Sequence, residues 1–208
     1  MKWSEKQLLI MSVAEKLFAE KGYDGTSVRE IAESAQINVA MVSYYFGSKE
    51  KLFFHLIQLK SDESYRSLVK VIRNSKLTPW QKMEYVIDSY TDKTIGNRHY
   101  HAIANLQIPI TQRETISDLL ISLKKRKFKL IEQILEEGRS QGVFREVDTG
   151  LTVMTIIGTL SQAQLSKPFY CTLLNIPAED EERYYHDIKP LLKSHLKQML
   201  KNHLVIYK

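Results

Sequence analysis

The sequence predicts an all-α protein, and three observations predict it. Proline and glycine are sparse, five and eight in 208 residues, where a sandwich of short strands needs many turns. Apolar residues recur at three- and four-residue steps along most of the chain, the period of a helix packed on one face. No segment alternates apolar and polar residues for long enough to make a strand, and there is no internal repeat or low-complexity tract. With 43% hydrophobic and 26% charged residues the chain can bury a core and is neither disordered nor fibrous. Its longest apolar runs, such as residues 8–11, fall far below the ~18 residues of a membrane span. The first residues lack a charged region leading into an apolar stretch and a cleavage site, so a cytoplasmic protein that engages no membrane is expected. Cys171 is the single cysteine, which excludes an intrachain disulfide and a zinc site built on several thiolates.

Each helix has a start signal or a stop signal. Ser4-Glu5-Lys6-Gln7 has capping-box spacing; Ile10, Val13, Ala14, Leu17 and Phe18 follow on one face, and Gly22 sits where a C-cap would end the helix. Ser27-Val28-Arg29-Glu30 is a second capping box, opening a short helix with Ile31, Ala32 and Ala35 on one side. Asn38 caps a third, to about residue 46, with Val42 and Phe46 inward behind Ile37. Ser48 caps a long fourth helix carrying Leu52, Leu56, Leu59, Leu68, Val69 and Ile72. Thr78-Pro79-Trp80-Gln81 combines an N-cap, proline at the first helical position and a box glutamine, predicting a helix over 79–95. Gly96 and Asn97 break it, a shorter segment covers 99–108, and Pro109 ends that one. A long helix is predicted over 114–138, an unusually apolar one over 151–165 behind Asp148, and a last one over 179–202 with a kink at Pro190.

The two short helices, 27–35 and 38–46, joined by a turn of about three residues behind a longer supporting helix, have a helix-turn-helix layout. In that layout the first short helix braces the second, whose outer face enters a major groove. Turning Val42, Phe46 and Ile37 inward leaves Val39, Ala40, Met41, Ser43, Tyr44 and Tyr45 outward or sideways. Apolar side chains touch thymine methyls, serine bonds several base edges, and tyrosine hydroxyls reach phosphates or bases.

With these residues the chain resembles the tetracycline-repressor (TetR) family of bacterial transcription regulators. The resemblance rests on Gly22-Tyr23, on Thr26-Ser27-Val28-Arg29-Glu30-Ile31-Ala32, on Tyr44-Tyr45-Phe46 and on Ser48-Lys49-Glu50-Lys51-Leu52, in the family's order and spacing over about residues 8–55. It implies that Ser27 contacts a phosphate, that Tyr44 packs on the DNA backbone and that Lys49, at the start of the fourth helix, contacts phosphate. Val39, Met41, Ser43 and Tyr45 then occupy positions that face bases, beside Asn38 and Ala40. The chain also departs from the family. Glycine is frequent where Gln36 stands, so the turn is expected to differ in detail, because a non-glycine residue at positive φ costs energy. The third helix lacks a Lys or Arg at its start, which excludes bidentate reading of guanine from Val39 or Ala40 and shifts specificity to A·T contacts, shape or water. Net charge does not single out the region: residues 1–60 hold eight Lys and Arg against seven Asp and Glu, within a total of +6.

Outside this region the sequence names no chemistry. No nucleophile with an acid-base partner, glycine-rich phosphate loop or His-Glu-x-x-His motif occurs, and no enzyme activity or cofactor is expected. His99 and His101 lie two apart and share no helix face, so no metal site is expected. The run Lys124-Lys125-Arg126-Lys127, with Lys129, reads first as a solvated helix face, and second as a site for DNA backbone or a phosphate-bearing ligand. Tyr90, Tyr100, Phe128, Met154 and Phe169 are candidate pocket residues for a small-molecule effector. The apolar 151–165 helix must be buried on several faces, and burial against a second copy suits a twofold DNA site. The resemblance implies that the last two long helices form the dimer bundle, which nominates Ile157, Gly158, Leu165, Leu192, Leu196 and Met199. The expectation is a two-part chain: residues 1–47 bind double-stranded operator DNA and 48–208 bind an effector and dimerise, as a repressor would. The rival expectation is a helical ligand-binding or interaction protein whose helix-turn-helix reads no DNA.

Overall fold

The computed structural model describes residues 3–95 and 114–207. Nine helices lie among them: α1 Glu5–Lys21, α2 Val28–Ser34, α3 Val39–Phe46, α4 Lys49–Ile72, α5 Pro79–Thr94, α6 Glu114–Ser140, α7 Thr149–Leu165, α8 Lys167–Leu173 and α9 Glu181–Leu204. The described residues contain no strand, only an isolated antiparallel bridge of Phe144 with Val205. All three predicted capping boxes form, Ser4 with Gln7, Ser27 with Glu30 and Thr78 with Gln81. Asn38 and Asp148 cap α3 and α7, and the Ser48 hydroxyl accepts the Lys51 amide at the start of α4. α8 was not expected: it is only seven residues long and its Pro168 stands at the start. The segment 99–108, with Tyr100, His99 and His101, lies outside the described residues. α9 continues through Pro190 as one helix.

The chain divides into two compact units, one of Met1–Tyr65 with Arg98–Leu123 and one of Arg66–Asn97 with Lys124–Lys208. In the first, α1 to α4 enclose a core of Ile10, Met11, Ala14, Phe18, Ile31, Val42, Phe46, Leu52, Phe53 and Leu56, joined by Leu120 and Leu123 from α6. Phe18, Tyr23 and Phe53 form its aromatic centre, with ring centroids 5.1–5.5 Å apart, a separation typical of favourable aromatic pairs. Gly25 is required by close approach, since a Cβ there would lie 2.3 Å from the Lys21 carbonyl oxygen.

In the second unit α9 presents Tyr184, Ile188, Leu192, Leu196, Leu200 and Leu204 as one buried stripe packed on α5 and α7. This corrects the expectation for Leu192 and Leu196. They are 9% and 0% exposed within the single chain, because the stripe is α9's continuous apolar face and the chain's own helices take it. The Tyr184 hydroxyl donates to the Ala163 carbonyl at 2.5 Å, and burial pushes its pKa up to about 12. Asp88 and Asp92 of α5 pair with Lys197 and Lys193 of α9, each at 2.8 Å. Lys82, 2% exposed, is held by Glu137 at 2.7 Å. Gly138 is the contact point for Phe144, whose ring would lie 2.1 Å from a Cβ at that position.

Candidate nucleic-acid interface

The geometry of this site begins at the turn between α2 and α3. Ile37 N–H donates to the Ala32 carbonyl and Gln36 N–H to the Glu33 carbonyl, both at 3.0 Å. That pair of bonds is a Schellman motif, and it places Gln36 at the position that takes left-handed backbone. Gln36 has φ +54°. The expectation of a divergent turn is therefore corrected: the two backbone bonds, with flanking Ala35 buried and Ile37 half-buried, impose the conformation although the residue is not glycine. The strain is relievable, since the Gln36 side chain is exposed and can be removed without opening the core. Gln36→Gly is expected to stabilise the protein by about 0.5–1 kcal/mol, raising the melting temperature by roughly 2 °C, whereas Gln36→Ala should give no gain.

Held by this turn, α3 buries Val42 and Phe46 at 1% and 3% exposure, and Ile37 packs on the same core from the residue before the cap, the arrangement of a hydrophobic staple. The opposite face is open. Ser27, Asn38, Val39, Ala40, Ser43 and Tyr44 are exposed, and Tyr44 is 82% exposed. Met41 and Tyr45 are half-buried. Tyr45 leans inward onto the core while its ring meets Tyr44 edge-on at 5.2 Å. Glu30 closes the α2 capping box, and its bond from Lys21 and then the Ser27 amide hold its carboxyl below the usual range. This fixes the Ser27 backbone on the exposed side.

Lys49, expected at a phosphate, has partners within the chain. Its Nζ donates to the carbonyl oxygens of Tyr23 at 2.9 Å and Thr26 at 3.0 Å and stands 4.3 Å from the Tyr23 ring centroid. Sequence reading also passed over Trp3 and His55. Trp3 lies 5.0 Å from the His55 ring and 6.4 Å from Phe46, the last residue of α3. Burial pushes the His55 pKa down and the Lys51 charge adds to this, opposed by a hydrogen bond that the ring donates to Gln58. An unfolded chain takes up a proton at His55 near pH 6.5, whereas the folded chain takes it up only at a lower pH. Below that pH the unfolded state therefore binds more protons, and stability falls with pH. Melting curves from pH 7 down to 5 are expected to drop more steeply for wild type than for His55→Gln.

The other predicted sites are scattered. Met154 and Phe169, expected in a pocket, are 68% and 60% exposed, because their helices turn other faces to the core. Tyr90 and Phe128 are half-buried. Ile157 and Leu165 are exposed at 43% and 69%, the space beside Gly158 is open, and Met199 is half-buried. In the basic run, Lys124, Lys125 and Lys129 are exposed. Among the described residues no His, Cys, Asp and Glu group suits a metal, and no helix is long and apolar enough to cross a membrane.

Comparison with known proteins gives the same assignment for two stretches of the chain. The family model "Bacterial regulatory proteins, tetR family" matches residues 10–56, and "Tetracyclin repressor-like, C-terminal domain" matches 76–165. The chain is 29% identical over 205 residues to the Bacillus subtilis protein named "Probable HTH-type transcriptional regulator YttP", covering 93% of this chain and 95% of that one. It is 27% identical over 140 residues to the HTH-type transcriptional repressor NicS of Pseudomonas putida, covering 66% and 65%. Its fold matches that of a transcriptional regulator from Saccharomonospora viridis crystallised with choline, at TM-score 0.78 and 17% identity, over 99% and 100% of the two chains. With the braced α3 and its exposed outer face, these matches place the chain in the tetR family of helix-turn-helix, DNA-binding transcription regulators, which are not enzymes.

Proposed function

We propose that the protein is a repressor that binds a palindromic operator as a homodimer and is released by a small-molecule effector. Residues 1–47 carry the DNA-reading part and 48–208 the ligand-binding and dimerising part. The observation that carries the reading is the exposed face of α3, with Val39, Ala40, Ser43 and Tyr44 unengaged by the core. On this reading Ser27, Asn38 and Tyr44 position the backbone, while Val39, Ala40, Met41, Ser43 and Tyr45 approach base edges. Repression is supported by the similarity to NicS, and a small-molecule effector by the choline-bound structural relative.

The dimer face is α7. Leu151, Met154, Gly158 and Leu165 fall at helical spacing on one side, and the three side chains are 64%, 68% and 69% exposed. A second copy across this stripe, with Ile157 and Met199 at its margin, sets two α3 helices on half-sites one turn, ~34 Å, or a multiple of it apart. The effector acts by preferring the state that does not bind DNA, since equal affinity for both states shifts nothing. Sedimentation is the test: wild type should run as a dimer, Met154→Glu with Leu165→Glu as a folded monomer that loses the palindrome but not a half-site. A monomeric wild type overturns the dimer. Palindrome binding by the monomeric variant overturns its role in DNA reading.

A further inference from the structure

We propose that Lys49 is a positioning residue, which ties the first turn of α4 to the loop carrying Ser27, so that this loop and α4 move as one body. The inference rests on the DNA-reading function above and gives one of its expected phosphate contacts a different part. A lysine in the first turn of a helix is disfavoured by the dipole, so its charge needs a partner. Lys49 finds partners inside the protein: two of its three N–H donors go to the Tyr23 and Thr26 carbonyls, and its charge faces the Tyr23 ring. Bonds from an ionised donor are roughly twice as strong as neutral ones.

The loop that Lys49 holds is itself fixed on the α1 side. Tyr23 is 4% exposed between Phe18 and Phe53, and the buried Thr26 hydroxyl lies 3.1 Å and 2.8 Å from the Leu17 and Gly22 carbonyls. Lys49 completes the grip from α4. Ser27 follows Thr26 directly, so its exposed hydroxyl is set by this clamp, and a shift of the α4 first turn is passed to it through two hydrogen bonds. The same turn reaches α3 through Gly47 and Ser48. One lysine thereby links a movement of α4 to the phosphate side of the interface as well as to the base-reading helix.

Hydrogen exchange of the free protein and anisotropy titration of a selected duplex across a salt series, on wild type, Lys49→Met and Lys49→Arg, test this. Lys49→Met should speed exchange of the Thr26 and Ser27 amides about 10-fold while α1 and α4 core amides keep their protection. Its affinity should fall about 10-fold with the salt slope unchanged, and Lys49→Arg, which retains cationic donors for the carbonyls, should recover part of both. Unchanged loop exchange in Lys49→Met, with a salt slope shallower by about one, would identify a phosphate contact and overturn the proposal. Should wild type prefer no duplex, DNA reading falls, and the exchange data still decide the clamp: faster loop exchange supports it and unchanged exchange overturns it.

Discussion

Tyr44→Ala is expected to weaken binding to the protein's own operator by about 10-fold, roughly 1.4 kcal/mol, through the loss of a contact that positions the DNA backbone. Stability should move by no more than about 0.5 kcal/mol, because the residue is 82% exposed and its ring meets only the edge of Tyr45 among the described residues. The combination is diagnostic. A residue kept for the fold costs stability when truncated, as Phe46 would, whereas a residue kept for a partner costs only affinity. Val39→Ser, also on the open face at 45% exposure, should act more weakly and change preference at one base pair, since it exchanges an apolar contact for a hydroxyl. Paired melting curves and anisotropy titrations separate these outcomes, and an unchanged affinity for Tyr44→Ala would remove Tyr44 from the interface.

Glu137→Ala carries the largest expected loss of stability, about 3 kcal/mol, because it strands the Lys82 ammonium where water cannot reach it. The Lys82 side chain is 3% exposed, against 30% for Glu137, so the cost falls on the lysine left behind. Both Glu137 oxygens accept from it, at 2.8 Å and 2.7 Å. Replacing both partners, Lys82→Met with Glu137→Leu, should return the protein to within about 1 kcal/mol of wild type, since a matched apolar pair needs no desolvated charge. Urea unfolding of the two single variants and the double variant measures the coupling. Equal losses in Glu137→Ala and the double variant would show that the pair contributes through packing alone.

What the sequence disclosed and what it withheld divide along the range of the interactions. Capping boxes span four consecutive residues, so Ser4, Ser27 and Thr78 could be read directly. The helix-turn-helix was legible for the same reason, being two local caps and one short turn. Gln36 misled because residue type alone suggested a changed turn, while the left-handed backbone is imposed by two main-chain bonds that side-chain identity does not encode. Leu192 and Leu196 misled differently. Periodicity reveals that α9 has an apolar face, but not whether the chain or a second copy covers it, and here α5 and α7 do. The same ambiguity left Met154 and Phe169 assigned to a pocket when both stand at the surface. Lys49 was legible as an anomaly, a cation in a first turn, but its partners are more than twenty residues away in the chain and no spacing rule reaches them.

Selection of random duplex DNA on the purified protein, followed by titration of the winner against a scrambled duplex at several salt concentrations, tests most directly whether α3 reads sequence. A palindromic winner whose half-sites are one or more helical turns apart, bound far more tightly than the scramble at every salt, is the predicted result. Equal affinity for winner and scramble, with binding that disappears as salt rises, would mean that only phosphate charge is felt, and would contradict the account.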